Sequence, residues 1–385
     1  MQDRKGETMI HIVSRGESVY QVSVQYNISV QEVIEKNGLL YPYELVPGQA
    51  LFLPVGDMRR AGSLYVNGYA YPFIQKAVLD SAIPALSSLT IFGYGFTTMG
   101  ELIVPDDAAL LQTAKNNNLL PVFLISSLTS DGTFSSENAS YLFENEWLQD
   151  TLLRQILDTM LEKGYERLDI DFEFIRPEDK EGFIGFIQKA VDLLHPQGLT
   201  VHVDLAPKTS AEQAGLLYEA HDYRRIGEIA DTVLLMTYEW GYTYGPPMAV
   251  APLDKVRQVV EYAVTEIDVN KIYMGIPNYG YDWKLPFVRG TTRAETLGNE
   301  QAMQRAIQYG SEILYDEAAM SPYYYYTAAD GATHVVWFEN VVSIQAKLDL
   351  VREFGLLGAG YWNLMRPFAQ NWNLLQSEFV INKAE

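Results

Sequence analysis

"YERLDIDFEF", residues 165–174, places Asp169, Asp171 and Glu173 at every second position of an otherwise apolar run. In a strand successive side chains point to opposite faces, so the three carboxyls share one side, about 7 Å apart per two residues. Leu168, Ile170, Phe172 and Phe174 take the other side. Like charges on one face destabilise a fold unless some are protonated or partnered. A solvated edge strand tolerates such a face, whereas the strands of a parallel sheet are covered on both sides. A closed barrel reconciles the pattern with its cost. Leu168, Ile170 and Phe172 pack outward against helices, and the carboxyls line the interior with Glu173 uppermost, at the strand ends where barrel sites lie.

Working outward, strand-like runs alternate with amphipathic helical stretches from about residue 63. The expected strands are "LYVNGYAY" (64–71), "LTIFGYGF" (89–96), "LLPVFLI" (119–125), "RLDIDFEF" (167–174), "LTVHVDLA" (199–206), "DTVLLMTY" (231–238), "KIYMGIPNY" (271–279) and "GAGYWNL" (358–364). Helices such as 146–164 and 179–198 fall between them. Eight strands alternating with helices predict an α/β fold of the (β/α)8 TIM-barrel type over 63–385. The seventh and eighth strands are too far apart for one helix. A small α+β insertion is expected at about 285–338, containing "SPYYYYT" (321–327).

A smaller unit precedes the barrel at 9–55. The apolar runs IHIV and ALFLP bracket two short helices, each opened by a capping box, Ser18 with Gln21 and Ser29 with Glu32. Val19, Val22 and Tyr26 form one apolar stripe, and Val30, Val33 and Ile34 another. Gly38 ends the second helix. Residues 1–8 read as a tag or disordered end, and 56–62 as a linker.

Composition narrows the function. The 385 residues are 48% hydrophobic and carry 28 basic against 49 acidic side chains, a net charge of −21. That balance argues against nucleic acid or an anionic membrane as partner. No apolar run of ~18 residues predicts a membrane span, and no basic-then-apolar start predicts a signal peptide. The absence of cysteine rules out thiolate catalysis, disulfides and zinc-thiolate sites. The five histidines form no close pair, so neither a metal nor a cofactor is expected. The 26 Tyr, 16 Phe and 6 Trp suit stacking on sugars, although most should be core.

A carboxyl that donates a proton near neutral pH needs a raised pKa, which neighbouring carboxylates promote. Glu173 is therefore the candidate general acid, held protonated by Asp171 and, through it, Asp169. Here the residues carry a resemblance. "YERLDIDFE" resembles the DxxDxDxE motif of glycoside hydrolase family 18, the chitinase-like barrels. "LLMTYEW", "GIPNYGYDW" and "GAGYWNL" resemble that family's sixth, seventh and eighth strands, in the same order. The resemblance implies substrate-assisted hydrolysis, in which the sugar's N-acetyl oxygen attacks the anomeric carbon. Glu173 would be acid and then base. Asp171 would orient the acetamido group with Asp169 behind it, Tyr238 would bind the acetamido oxygen, and Trp362 would form the floor under the ring. The expected sugar-binding set is Trp362, Met236, Glu239, Asn278, Tyr279 and Tyr94.

The chain departs from the family pattern in places. Glu166 stands for the motif's first Asp, and Glu239 for the Asp after the Tyr. Ser126 and Ser127 replace an SxGG segment, and the insertion is short, which implies a shallower cleft.

The 9–55 unit resembles a LysM module, which implies binding of N-acetylglucosamine-containing glycans through the Arg15–Ser18 turn and the Leu39–Tyr43 loop: Arg15, Gly16, Glu17, Ser18, Leu40 and Tyr41. A LysM module joined to such a barrel, with "MTYEWGYTYGPPMAVAPLDKV" and "LAPKTS", is similar to spore cortex-lytic N-acetylglucosaminidases, which often carry two LysM modules. The implied activity is retaining cleavage after N-acetylglucosamine in peptidoglycan, and the implied location is the spore coat or cortex, with the cytoplasm as the alternative. A chitinase or chito-oligosaccharide hydrolase, and a non-catalytic glycan-binding barrel, are the other readings.

Overall fold

The structure, a computed structural model, describes residues 9–55, 62–129 and 132–383. The expected tag, 1–8, and all of the expected linker except Gly62 lie outside the described residues.

Eight parallel strands close into a barrel: Ser63–Ala70, Ser88–Phe96, Leu120–Ser126, Arg167–Asp171, Thr200–Leu205, Thr232–Leu235, Ile272–Pro277 and Gly358–Trp362. The last strand pairs with the first, and the first with the second, so no barrel edge is left open. Residues of the barrel wall divide between two cores, one outside and one inside it. Outward residues such as Leu168, Ile170, Val201, Val203, Val233 and Leu235 join one large cluster with helix residues, among them Ile156, Phe183 and Ile187. Inward residues Tyr69, Phe92, Leu124, Leu234, Met236 and Tyr273 form a separate cluster. The expected alternation of the fourth strand is therefore present up to Asp171, where the strand ends. Phe174 departs from it. Instead of packing outward, it lies beyond the strand, is 46% exposed and has φ of 53°.

The insertion begins earlier than expected. "GYDWK" is not the tail of the seventh strand but a strand of its own, Gly280–Lys284. It joins Glu295–Leu297, Leu314–Asp316, Ser321–Thr327 and Thr333–Trp337 in a five-stranded antiparallel sheet, with the helix Asn299–Tyr309 packed against it. Of the tyrosine run, Tyr324 is buried and Tyr323 stacks on Trp337 at 4.5 Å between ring centroids.

The N-terminal unit has the expected order: strand Met9–Ile12, helices Val19–Tyr26 and Val30–Asn37, strand Ala50–Leu53. Both capping boxes form. Val30 is the exception to its stripe and stays 37% exposed. The unit does not hang from the barrel. Ala50 and Phe52 belong to the barrel's large core, and Val46 to the core of the insertion. The Gln370 side-chain amide donates to Asn37 Oδ1 (2.9 Å) and to the Ala50 carbonyl (2.8 Å), and Lys36 donates to Asn373 (2.9 Å). At Gly48, with φ of 79°, an added Cβ would lie 2.1 Å from the Ile313 carbonyl oxygen. Only glycine allows this approach.

Because Phe52 is seated in the barrel core, Phe52→Ala should destabilise the whole protein by about 3–5 kcal/mol in denaturant titration. Two separate unfolding transitions, with the barrel's unchanged, would show the module to be merely tethered.

Candidate active site

The fourth strand places Asp169 and Asp171 inside the barrel, and Glu173 follows just past its end. Two fully buried contacts shape that end. The Ala206 N–H donates to His221 Nδ1 (3.1 Å), so the ring proton sits on Nε2 and is donated to the Phe172 carbonyl (3.2 Å). His221 thus ties the ends of the fourth and fifth strands together beside Glu173, and burial holds its pKa down to about 4. The left-handed φ of Phe174 turns the chain away after Glu173. A second non-glycine residue with positive φ, Glu239 at 67°, does the same after Tyr238. Such outliers persist where surrounding structure over-determines them, often at functional sites.

Together these strand ends line a cleft of about 870 Å³, measured out to its open mouth, within the usual range for ligand sites. Asp171, Glu173, Met236, Tyr238, Glu239 and Trp362 all line it, as do Tyr71, Phe92, Phe134, Asp204, Tyr218 and Trp240. Trp362 is half-buried and touches Tyr69, Tyr71 and Phe92, with ring centroids 5.3–6.1 Å apart. Tyr238 sits against Gly275 of the seventh strand, where an added Cβ would lie 2.8 Å from its ring. Any side chain at 275 would displace the tyrosine.

Electrostatics favours uncharged carboxyls here. Burial, then Asp204, pushes Asp169 up to about 8. Burial, followed by Asp204, Glu173 and Asp169, pushes Asp171 well above the usual range. Glu173 rises to about 7 through desolvation and the nearby Glu239. Glu239 joins Asp171 as a neighbouring carboxyl, since Glu173 and Asp171 also repel each other.

Three expected sugar-binding residues lie elsewhere. Tyr94 was expected at the cleft, but a register shift between Ile91 and Tyr94, with Gly93 at φ of 129°, inverts the alternation of the second strand. Tyr94 therefore points outward, stacks on Phe123 and donates to Asp107. Asn278 is buried, and its side-chain amide donates to the carbonyls of Asn363 (3.0 Å) and Arg366 (2.9 Å), bracing the loop after Trp362. Tyr279 and Tyr281 donate to the carboxylate of Glu239, Tyr281 at 2.9 Å. The Glu239 residue as a whole is exposed, but its carboxylate is drawn in by these two hydroxyls.

Ser126 is buried at the end of the third strand, paired with Asp171, and the hydroxyl of Ser127 is buried without a partner. In the N-terminal unit, Glu17 accepts from His11 Nε2 (2.8 Å) and the Ser14 N–H (2.9 Å), and Arg15 pairs with Glu312 of the insertion (3.1 Å). Gly16 takes φ of 78° and Ser18 caps a helix, while Leu40 and Tyr41 are 59% and 85% exposed.

Sequence reading missed Asp204 and His202, inward residues of the fifth strand. The alternation in "LTVHVDLA" carried the signal, since His202 and Asp204 both break an apolar run at a spacing of two. Asp169, His202 and Asp204 are all buried, with ligand-capable atoms within 4.8 Å of one another. Of the described residues these come nearest to a metal donor set. Burial lowers His202 to about 4, and it raises Asp204, a rise that the Tyr69 hydrogen bond partly offsets. No helix among the described residues is long and apolar enough to cross a membrane.

Comparison with known proteins identifies the family. Residues 72–366 match the profile of glycosyl hydrolases family 18, and residues 11–54 that of the LysM domain. The cortical fragment-lytic enzyme of Bacillus subtilis (strain 168) is 39% identical over 97% of this chain and 99% of its own length. That of Bacillus anthracis is 35% identical over 97% of this chain and its full length. The crystal structure of the Bacillus megaterium QM B1551 spore cortex-lytic enzyme SleL superimposes with a TM-score of 0.93 at 34% identity, covering 99% of this chain and 100% of that one. This chain is a glycosidase and belongs to glycosyl hydrolases family 18, with a LysM domain at its N-terminal side.

Proposed function

We propose that this glycosidase cleaves the β-1,4 bond after N-acetylglucosamine in spore cortex peptidoglycan, with retention at the anomeric carbon. The observation that carries the reading is the meeting of Glu173, Asp171, Tyr238 and Trp362 around one cleft, with Glu173 half-buried and its pKa near 7. The names of the relatives, cortical fragment-lytic and spore cortex-lytic enzymes, support the choice of glycan and a place in the spore.

Glu173 gives its proton to the glycosidic oxygen as the C1–O bond breaks. The acetamido carbonyl oxygen of the same sugar bonds to C1 from the opposite face, forming an oxazolinium ring. Asp171 holds the acetamido N–H, Tyr238 donates to the acetamido oxygen, and Trp362 supports the ring. Water then attacks C1 as the bond from C1 to the acetamido oxygen breaks, Glu173 takes the water's proton, and two inversions leave the original configuration. Asp169 lies beneath Asp171 as its buried partner. The LysM unit is read as the anchor on the same glycan, through the turn around Gly16 and the exposed Leu40 and Tyr41.

Glu173→Gln keeps the shape and removes the dissociable proton. Turnover of purified cortex fragments should fall by about 100-fold or more, with binding retained; hydrolysis at the wild-type rate would remove Glu173 from the mechanism. Because the acid form is the working one and its pKa is raised to about 7, kcat should hold through mildly acidic pH and decline as pH rises through about 7. A profile already falling near pH 4 would mean that Glu173 is not held protonated. Mass spectrometry of products from cortex fragments and from chitin oligomers, assayed side by side, identifies the bond and the glycan. Turnover of chitin alone would replace the cortex reading with the chito-oligosaccharide one.

A further inference from the structure

The reaction above makes no use of one carboxyl that lines the same cleft. Asp204 stands on the fifth strand, 3% exposed, beside Asp171 and Glu173. It belongs to none of the motifs that carry the family resemblance. Groups on several elements face it. From the first strand, the Tyr69 hydroxyl donates to Asp204 Oδ1 at 2.8 Å. On its own strand, His202 Nε2 lies 3.4 Å from the same oxygen, while Nδ1 sits 2.7 Å from the hydroxyl of Thr232 on the sixth strand. Tyr273 of the seventh strand packs edge-on against the His202 ring. From the fourth strand come Asp169, Asp171 and, past its end, Glu173, with Arg167 two residues below Asp169 acting on both Asp169 and His202. Tyr238 lies within electrostatic reach from beyond the sixth strand, and Glu239 acts on Glu173.

The hydrogen bonds are distributed unevenly over these carboxyls. Both oxygens of Asp169 and one of Asp171 are buried with no donor. No lysine or arginine among the described residues is bonded to Asp169, Asp171, Glu173 or Asp204. Burial raises all three aspartates, but Asp204 alone of them receives a hydroxyl hydrogen bond at ordinary distance, and such a bond favours the ionised form and offsets part of that rise. When the group as a whole gives up a proton, Asp204 is thus the site best built to carry the charge.

We propose that Asp204 is a positioning residue of this active site: an anion seated on the Tyr69 hydroxyl, with His202 at its side, that keeps the working proton on Asp171 and Glu173. It acts by repulsion through those two groups and not by touching the scissile bond. This rests on the glycosidase reading given above for Glu173. His202, uncharged at working pH, orients the anion without neutralising it. A lysine in its place would cancel the effect.

The test is the pH dependence of kcat and KM for full-length Asp204→Asn on cortex fragments. Asparagine still accepts from Tyr69, so a purely structural role predicts an unmoved profile. Loss of the anion instead lets Asp171 and Glu173 release protons earlier, and the alkaline limb of kcat should move down by about one pH unit, with KM nearly unchanged. Tyr69→Phe serves as the second variant. Removing the donor disfavours the Asp204 anion, so the limb should move the same way by a smaller amount. A folded variant, Asp204→Asn or failing that Tyr69→Phe, with the limb where the wild type has it overturns the proposal. If Glu173→Gln is inactive in the same assay, the glycosidase reading survives that failure; if Glu173→Gln is fully active, the reading itself is at fault.

Discussion

Negative charge crowded into an apolar barrel is the constraint from which the rest of this molecule follows. Asp169, Asp171 and Asp204 are nearly inaccessible to water, and Glu173 is half-covered just above them. Two unit charges 4 Å apart near a protein surface repel by about 4 kcal/mol, so such a cluster cannot be fully ionised and stay folded as it is. It keeps protons instead. A barrel that holds protons at neutral pH can donate one, and the strand ends, the His221 brace and the turns at Phe174 and Glu239 bring that proton to the mouth of the cleft.

Most of this was legible in the sequence because a strand alternates strictly. The period of two in "RLDIDFEF" gave the buried face, and the order of the eight apolar runs gave the closed barrel. Legibility failed where the backbone interrupts the alternation. The bulge at Ile91–Tyr94 is a backbone event that the run "LTIFGYGF" discloses only through its glycines, so Tyr94 was assigned to the wrong face. Phe174 was misplaced for a similar reason, since the strand stops three residues before it. Asp204 and His202 escape notice because one histidine and one aspartate in an apolar run make no acidic face, although the same spacing of two holds.

The sequence also divided the chain into units more sharply than the structure does. Ala50 and Phe52 were read as the closing strand of a separate small module, yet they complete the core of the barrel. Whether a short apolar strand buries itself against its own unit or against a neighbour depends on contacts hundreds of residues away, such as those of Gln370 and Ile313. No local pattern encodes them. The module's small size supplies the motive: a unit of this length hides too little surface to be robust alone.

The clasp of Tyr279 and Tyr281 on Glu239 links the insertion to the chemistry. Burial raises the pKa of Glu239, those hydroxyls offset part of the rise, and Glu239 in turn pushes up that of Glu173. Tyr281 lies in a strand whose place is set by pairing with Thr296 and Trp337. Were that sheet to come apart, Glu239 would lose its two donors, lean toward its neutral form and cease to repel the acid across the cleft. The raised pKa of Glu173 is therefore conditional on the completed fold of a segment that does not itself line the cleft: a half-assembled chain would own every side chain of the cleft and still be mistuned.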